Sequence, residues 1–546
     1  MASSSSLRRR SVERDPLGQS IEMKGSFKVS EMSDDKRNID YETPMYGGDG
    51  EQWGDTENDL RDMERLGKKQ EFKLSGRRHT MAQKRNFNFL SALGFVSIYM
   101  ATWEFVLVSL SVGLANGGFA GLFWCGSSFI VTEDNTTGSE FAPPEYQRIL
   151  SYASGWMSTL GWIAGVAGSV FVCTSQINAI INVTAPDYAF SNWQYTLIIV
   201  AFILLTIVFN TIGAKTLPAL ETLSLFGHLA GFLVVLVPLW VLCPKNSANE
   251  VFVDYQTNGG YSAGPAFLIS QVTILYCNLG SDSVVHISEE VEDASITVPR
   301  CMMYSFVMNI GLGIIMLITM LFCIGPLDAV IESDVPYLIL FNRTGIPGLS
   351  VALNVILFVL IYAGNITALA TCAREMFAFA RDKGLPWSGW IGEMNRQWNV
   401  PFNSVYATSI VCLLLSLINL GSTVAFNTVV SVSVLGLLST YMISIGCVLL
   451  KRIKGEPLPP ARWSLGRCGI WINGFAFFYS AFIIVFSCFP SYLPVSTADA
   501  NWAPLVWFAV IIISGVMYVF HGKRHYTAPV EFVEGRKSAG VGLQSS

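Results

Sequence analysis

The sequence predicts an all-α, polytopic membrane protein, on three observations. Hydrophobic residues make up 51% of the 546 and charged residues only 14%, with a mean hydropathy of +0.45, values that a water-soluble domain of this length rarely shows. Eleven apolar runs approach or exceed the roughly 20 residues needed to cross a hydrocarbon core about 30 Å thick. Basic residues also fall asymmetrically between alternate loops, as the positive-inside rule requires.

Residues 1–86 are polar, with Ser3 to Ser6, Arg8 to Arg10 and Gly47 to Gly50, and are expected to form a disordered cytosolic tail. Residues 87–520 form the expected transmembrane domain, and residues 521–546 a short cytosolic tail. The apolar runs lie near 88–114, 150–175, 192–212, 219–243, 264–287, 302–325, 348–373, 404–420, 425–450, 470–489 and 501–520. A twelfth segment, 121–132, reaches only about 18 Å as a helix and is a truncated second span.

Charge tests that order. With twelve crossings and a cytosolic N-terminus, the inner loops from residue 176 onward carry Lys215, Arg300, Arg374, Arg381, Lys383, Arg396, Lys451, Arg452, Lys454, Arg462 and Arg467, against Lys245 and Arg343 outside. Lys68, Lys69, Lys73, Arg77, Arg78, Lys84 and Arg85 also belong inside, so an even number of crossings must precede Arg148. One good span lies between them. Either a short distorted segment crosses near 121–140, or part of the natural sequence is missing there.

Residues 276–300 carry the strongest functional signal. They follow an apolar run already in lipid, yet place Gly280, Ser281, Ser283 and Asp282 where a spanning helix carries leucines. A carboxylate at that depth costs several kcal/mol unless it meets a partner or a polar cavity, and interrupted helices of this kind commonly hold a transported solute. Glu104 is a second intramembrane carboxylate and His228 an intramembrane imidazole, which either couples protons or is a satisfied core histidine. Trp103 is either packing or a substrate contact.

No nucleotide loop, zinc spacing or nucleophile set appears, and the net charge of -5 is spread without a basic block for nucleic acid. The eleven cysteines are scattered in apolar runs. An enzyme, a metal site and a cofactor are therefore not expected. The expected partners are a small-molecule substrate, a coupling ion and the lipid bilayer, with no nucleic acid. Of three glycosylation acceptors, Asn182 and Asn342 fall outside, and glycan at Asn135 would report that the short second segment does not cross.

The chain resembles fungal members of the amino-acid/polyamine/organocation superfamily, in the branch of GABA and choline permeases. The matching stretches are 66–72 (Leu-Gly-Lys-Lys-Gln-Glu-Phe), Thr102-Trp103-Glu104, 113–118, 151–156, 280–290 with Val298-Pro299-Arg300, and 374–386 (Arg-Glu-Met-Phe-Ala-Phe-Ala-Arg-Asp-Lys-Gly-Leu-Pro). The resemblance covers roughly residues 60–525 and implies an inverted 5+5 helix repeat of leucine-transporter type plus two C-terminal helices, with spans 1 and 6 unwound at mid-membrane. It departs from the family in lacking a full second span.

The resemblance implies a secondary-active symporter at the plasma membrane rather than the vacuole, with both termini cytosolic and a proton as coupling ion. Substrate, a small amino acid, GABA, choline or polyamine, would sit among Tyr99, Met100, Ala101, Thr102, Trp103 and Glu104 of span 1 and Asn278, Gly280, Ser281 and Asp282 of span 6, where bare N–H and C=O groups meet a zwitterion or Trp103 and Tyr99 meet a choline-like cation with Glu104 or Asp282 as counter-charge. His228, Glu104 and Asp282 are the candidates for proton coupling, and Glu289, Glu290, Arg374 and Arg381 for an inner gate. A transporter-like sensor, or a remnant that binds without cycling, is the alternative that the short second span keeps open.

Overall fold

A computed structural model describes residues 56–59, 61, 85–126, 141–188, 191–333, 335–395, 397–417, 425–458, 461–495 and 500–527. Thirteen helices carry the architecture: α1 (Phe89–Met100), α2 (Thr102–Val108), α3 (Ser111–Gly126), α4 (Gln147–Thr184), α5 (Asn192–Asn210), α6 (Leu217–Leu242), α7 (Ala263–Tyr276), α8 (Ala294–Cys323), α9 (Pro347–Arg381), α10 (Phe402–Ser416), α11 (Ala425–Lys454), α12 (Gly469–Phe486) and α13 (Ala503–Met517). Among the described residues there is no strand beyond isolated bridges, one of which joins Phe87 to Val291.

Local chemistry sets several of these boundaries. Proline stands in the first turn of α6, α9 and α13, where its missing N–H leaves no intrahelical bond unmade, and Ser191 with Gln194 forms a capping box on α5. Leu, Ile, Val and Phe dominate the lipid-facing sides, so Leu223, Val241 and Phe478 are exposed as a membrane surface demands.

Nine helices among the described residues are long and apolar enough to cross a membrane, with α1 and α2 counted together, rather than the eleven expected. Two runs fall short. The run at 264–287 stops as a helix at Tyr276, because the polar, glycine-containing sequence that follows turns into short 3-10 pieces, Ser281–Val285 and Ser288–Glu290. The run at 404–420 is helical over Phe402–Ser416 only, and residues 418–424 lie outside the described ones.

The short second segment is only partly described. α3 bends at Gly118 (φ 58°, ψ -161°), a backbone conformation that glycine alone adopts at no steric cost. Beyond the bend, Trp124 Nε1 donates to Phe252 O at 3.0 Å and Cys125 Sγ to Phe267 O at 3.4 Å, beside the outer loop that precedes α7. Phe141, by contrast, lies 6.0 Å from the Lys451 ammonium at the inner end of α11. Residues 127–140, which join these two flanks, lie outside the described residues. Asn135 lies outside the described residues.

Two boundaries differ from expectation. Within the stretch assigned to a disordered tail, Asp59 is buried, accepts the N–H groups of Asp293 and Ala294 at 3.0 and 3.1 Å, and pairs with Arg85 at 3.4 Å. At the other end the helical path continues past 520 to His525, and Tyr526 packs against Tyr152 and donates to Ser151.

Candidate functional site

Span 1 is interrupted at one residue. α1 ends at Met100, Ala101 takes left-handed angles (φ 40°, ψ 43°), and α2 begins at Thr102. A non-glycine residue in this region stores strain and persists only where its surroundings hold it. Here the holder is Asn309 of α8, which accepts from Thr102 N at 3.2 Å and donates to Ser97 O at 3.4 Å. A buried peptide group needs a partner; Asn309 supplies one to Thr102 N and adds a second donor to Ser97 O, which already accepts from Ala101 N at 2.9 Å.

Span 6 breaks between Tyr276 and Ser281. The Leu275 and Tyr276 carbonyls accept from Asn278 N and Leu279 N, and the Ile274 carbonyl from Asn278 Nδ2, so this end is also largely self-satisfied. Gly280 is required twice over. Its φ is 93°, and a Cβ there would come within 1.8 Å of the Tyr99 ring. The two interruptions meet where Thr102 Oγ1 donates to Asn278 Oδ1 at 3.5 Å.

On the outer side of this meeting point lies a sealed cluster. His228 Nδ1 stands 2.7 Å from Glu104 Oε1 and 3.1 Å from Trp103 Nε1, and the His228 and Glu104 side chains are both 0% exposed. One ring nitrogen cannot donate to the carboxylate and accept from the indole at once. The proton's position therefore decides whether Trp103 has an acceptor. Among the described residues, Glu104 Oε2 and His228 Nε2 have no hydrogen-bond partner.

On the inner side lies a more open cluster, of which sequence reasoning named Asp282 and missed His286 and Glu375. Asp282 Oδ1 accepts from Tyr441 at 2.8 Å, Asp282 Oδ2 stands 3.7 Å from His286 Nε2, and His286 Nδ1 is 2.9 Å from Glu375 Oε2. These three side chains are 10–15% exposed, and Trp162 sets its ring edge-on to the imidazole at 5.2 Å. A signal for His286 existed, since it follows Asp282 by four residues within the segment already singled out.

The remaining candidates divide. Glu290 pairs with Arg374 at 2.8 Å and Glu289 with Arg381 at 3.0 Å, so the four inner-gate residues come together. Tyr99 packs on Trp162 at 4.9 Å and Ser281 is buried beside the break. Met100 turns toward α8, where its sulfur accepts from Ser305. Asp282 does not join the Glu104–His228 pair.

The amino acid permease family profile matches residues 85–516. The chain belongs to the amino acid permease family. It is 27% identical to an uncharacterized amino-acid permease of Schizosaccharomyces pombe, over 82% of this chain and 87% of that one. It is 25% identical to the GABA-specific permease of Saccharomyces cerevisiae (82% and 83%) and to the choline transporter of the same yeast (71% and 69%). A manganese transporter of Eremococcus coleocola aligns over 80% of this chain and 94% of its own, with 13% identity and a TM-score of 0.44. As a member of this permease family the chain is an integral, multi-pass membrane transporter and not an enzyme.

Proposed function

We propose that the chain is a secondary-active permease for a small amino acid, GABA, choline or polyamine, coupled to a proton and cycling by alternating access around spans 1 and 6. It would work at the plasma membrane with both termini in the cytosol. The observation that carries this is the contact between the interruptions, Ala101 and Gly280, with an ionisable cluster on either side. Substrate would contact Tyr99, Ala101, Thr102, Trp103, Asn278, Gly280, Ser281 and Asp282. Moving the proton from His228 to Glu104 would free Nδ1 to accept from Trp103, which ties protonation to the second half of span 1. Glu290–Arg374 and Glu289–Arg381 would close the inner side until the bundle rocks. The test is uptake of labelled GABA, choline, putrescine and neutral amino acids by expressing cells across a pH gradient. Asp282→Ala and Glu104→Ala are expected to abolish uptake, and unchanged uptake in both would reject the site.

A sensor or a non-cycling remnant is the second possibility, favoured by the fourteen residues that separate Gly126 from Phe141, fewer than the roughly 20 of a spanning helix. A transcript with additional sequence between Trp124 and Phe141 would support the permease. Its absence together with no uptake would support the remnant.

A further inference from the structure

We propose that Asp282 and His286 form a seat for a primary ammonium group, and that a proton on His286 Nε2 competes with substrate for it. This rests on the permease function above and narrows its substrate class. The 3.7 Å between Asp282 Oδ2 and His286 Nε2 is too long for a hydrogen bond, so neither atom is fully engaged by the other. An ammonium nitrogen set beside the pair rather than between its atoms would stand about 2.8 Å from both, donating one N–H to the carboxylate and another to the imidazole lone pair.

The surroundings hold both halves of the seat in place. Tyr441 fixes the other oxygen of Asp282, and Glu375 binds Nδ1–H, which leaves Nε2 as the titrating position. Trp162 walls the imidazole from α4, together with Ser158, which bonds Glu375. From α1, Tyr99 covers Gly280; on α8, Arg300 is exposed. The charges of the next turn, Glu290 with Arg374 and Glu289 with Arg381, are already paired.

Charge balances through the exchange. With Nε2 protonated, two carboxylates and one imidazolium sum to -1. When Nε2 releases its proton to water on the open side and an ammonium enters, two carboxylates, a neutral imidazole and one ammonium again sum to -1. A quaternary ammonium has no N–H to give and cannot bridge the pair; it needs an aromatic cage instead. GABA and polyamines fit this seat and choline does not.

The test measures uptake of labelled GABA, putrescine and choline by cells expressing the full chain, between about pH 5 and pH 9, a window that covers and extends above the range over which a free imidazole titrates. Wild-type protein is expected to take up at least one primary amine with an apparent KM that rises up to about tenfold per pH unit on the acid side, and to take up choline at least tenfold less well. His286→Gln should flatten the KM profile, Glu375→Gln should move its midpoint to lower pH, and Asp282→Asn should lose amine uptake about a hundredfold. A His286→Gln variant that keeps the wild-type slope, or choline handled as well as the primary amines, overturns the seat while leaving the permease standing. Should His286→Gln be inert, the wild-type slope and the primary-to-quaternary ratio decide. Uptake of none of the three probes, nor of neutral amino acids, overturns both.

Discussion

Glu104–His228 and Asp282–His286–Glu375 stand on opposite sides of the contact between the two interrupted spans, and both join carboxylate to imidazole. The first is fully sealed, pairs one acid with one base and includes an indole. The second is 10–15% exposed, sets two acids around one base and leaves a 3.7 Å gap. Burial decides what each can do. A sealed pair must balance its charges internally, because an uncompensated charge in the interior is costly, so it can shift a proton between its members but cannot admit a solute. An open cluster with surplus negative charge can exchange a cation with its surroundings. The same residue types thus give a strut with an internal switch in one place and a binding seat in the other.

The sharpest way to break this contrast is to remove one partner of the sealed pair. Glu104→Ala takes the carboxylate from His228 and leaves Nδ1 only the Trp103 indole, which should cost about 1–3 kcal/mol, read as a drop in melting temperature in detergent. Combining Glu104→Met with His228→Phe should restore most of that loss, since an apolar pair of similar volume carries no desolvation penalty. Glu375→Gln in the open cluster should shift melting far less while still altering uptake. Equal losses in the two clusters would show that exposure is not the deciding variable.

Gly280→Ala comes next. The left-handed backbone costs an alanine about 1–2 kcal/mol, and its Cβ collides with Tyr99 as well. The variant should lose uptake and melt lower. Adding Tyr99→Ala should relieve the collision but not the backbone strain, and a full rescue would mean the turn itself carries little cost.

Legibility in the sequence followed the same division between apolar pattern and polar pairing. The helices that cross the membrane were readable because runs of Leu, Ile, Val and Phe are the direct record of contact with lipid, although α4 extends to 38 residues where its apolar run marks only 150–175. Glu104 and His228 were readable singly as ionisable groups in lipid; their pairing was not, since 124 positions separate them. Glu375 was hidden beside Arg374, whose charge fits a cytosolic loop equally well. Asn309 was invisible, because one amide in the apolar run of α8 looks like any interhelical contact, yet it bonds Thr102 N and Ser97 O on either side of Ala101. Met100 is the last residue of α1 and faces Ser305, a contact that no local pattern announced.

Trp103→Phe tests the switch inside the sealed cluster. The 2.7 Å contact to Glu104 is shorter than the 3.1 Å contact to the indole, so the proton on Nδ1 is best placed toward the carboxylate and the indole bond is the weaker one. Loss of the indole N–H should then cost no more than about 1 kcal/mol, with the change appearing in the pH dependence of uptake rather than in melting.

Around Arg374 and Arg381 the contrast repeats at lower amplitude. Arg374 and Glu290 are 3% and 4% exposed, whereas Arg381 and Glu289, one layer further out, are 20% and 19% exposed. Water screens the outer pair and competes for its hydrogen bonds, so Arg381→Ala should change stability by only about 0.2–1 kcal/mol, less still at high salt. Its effect belongs in the rate of inner opening, measured as faster labelling of a cysteine placed above the gate. A melting shift as large as that of Arg374→Ala would mean the outer pair is shielded from water, and exposure would then fail to order the ion pairs along this face.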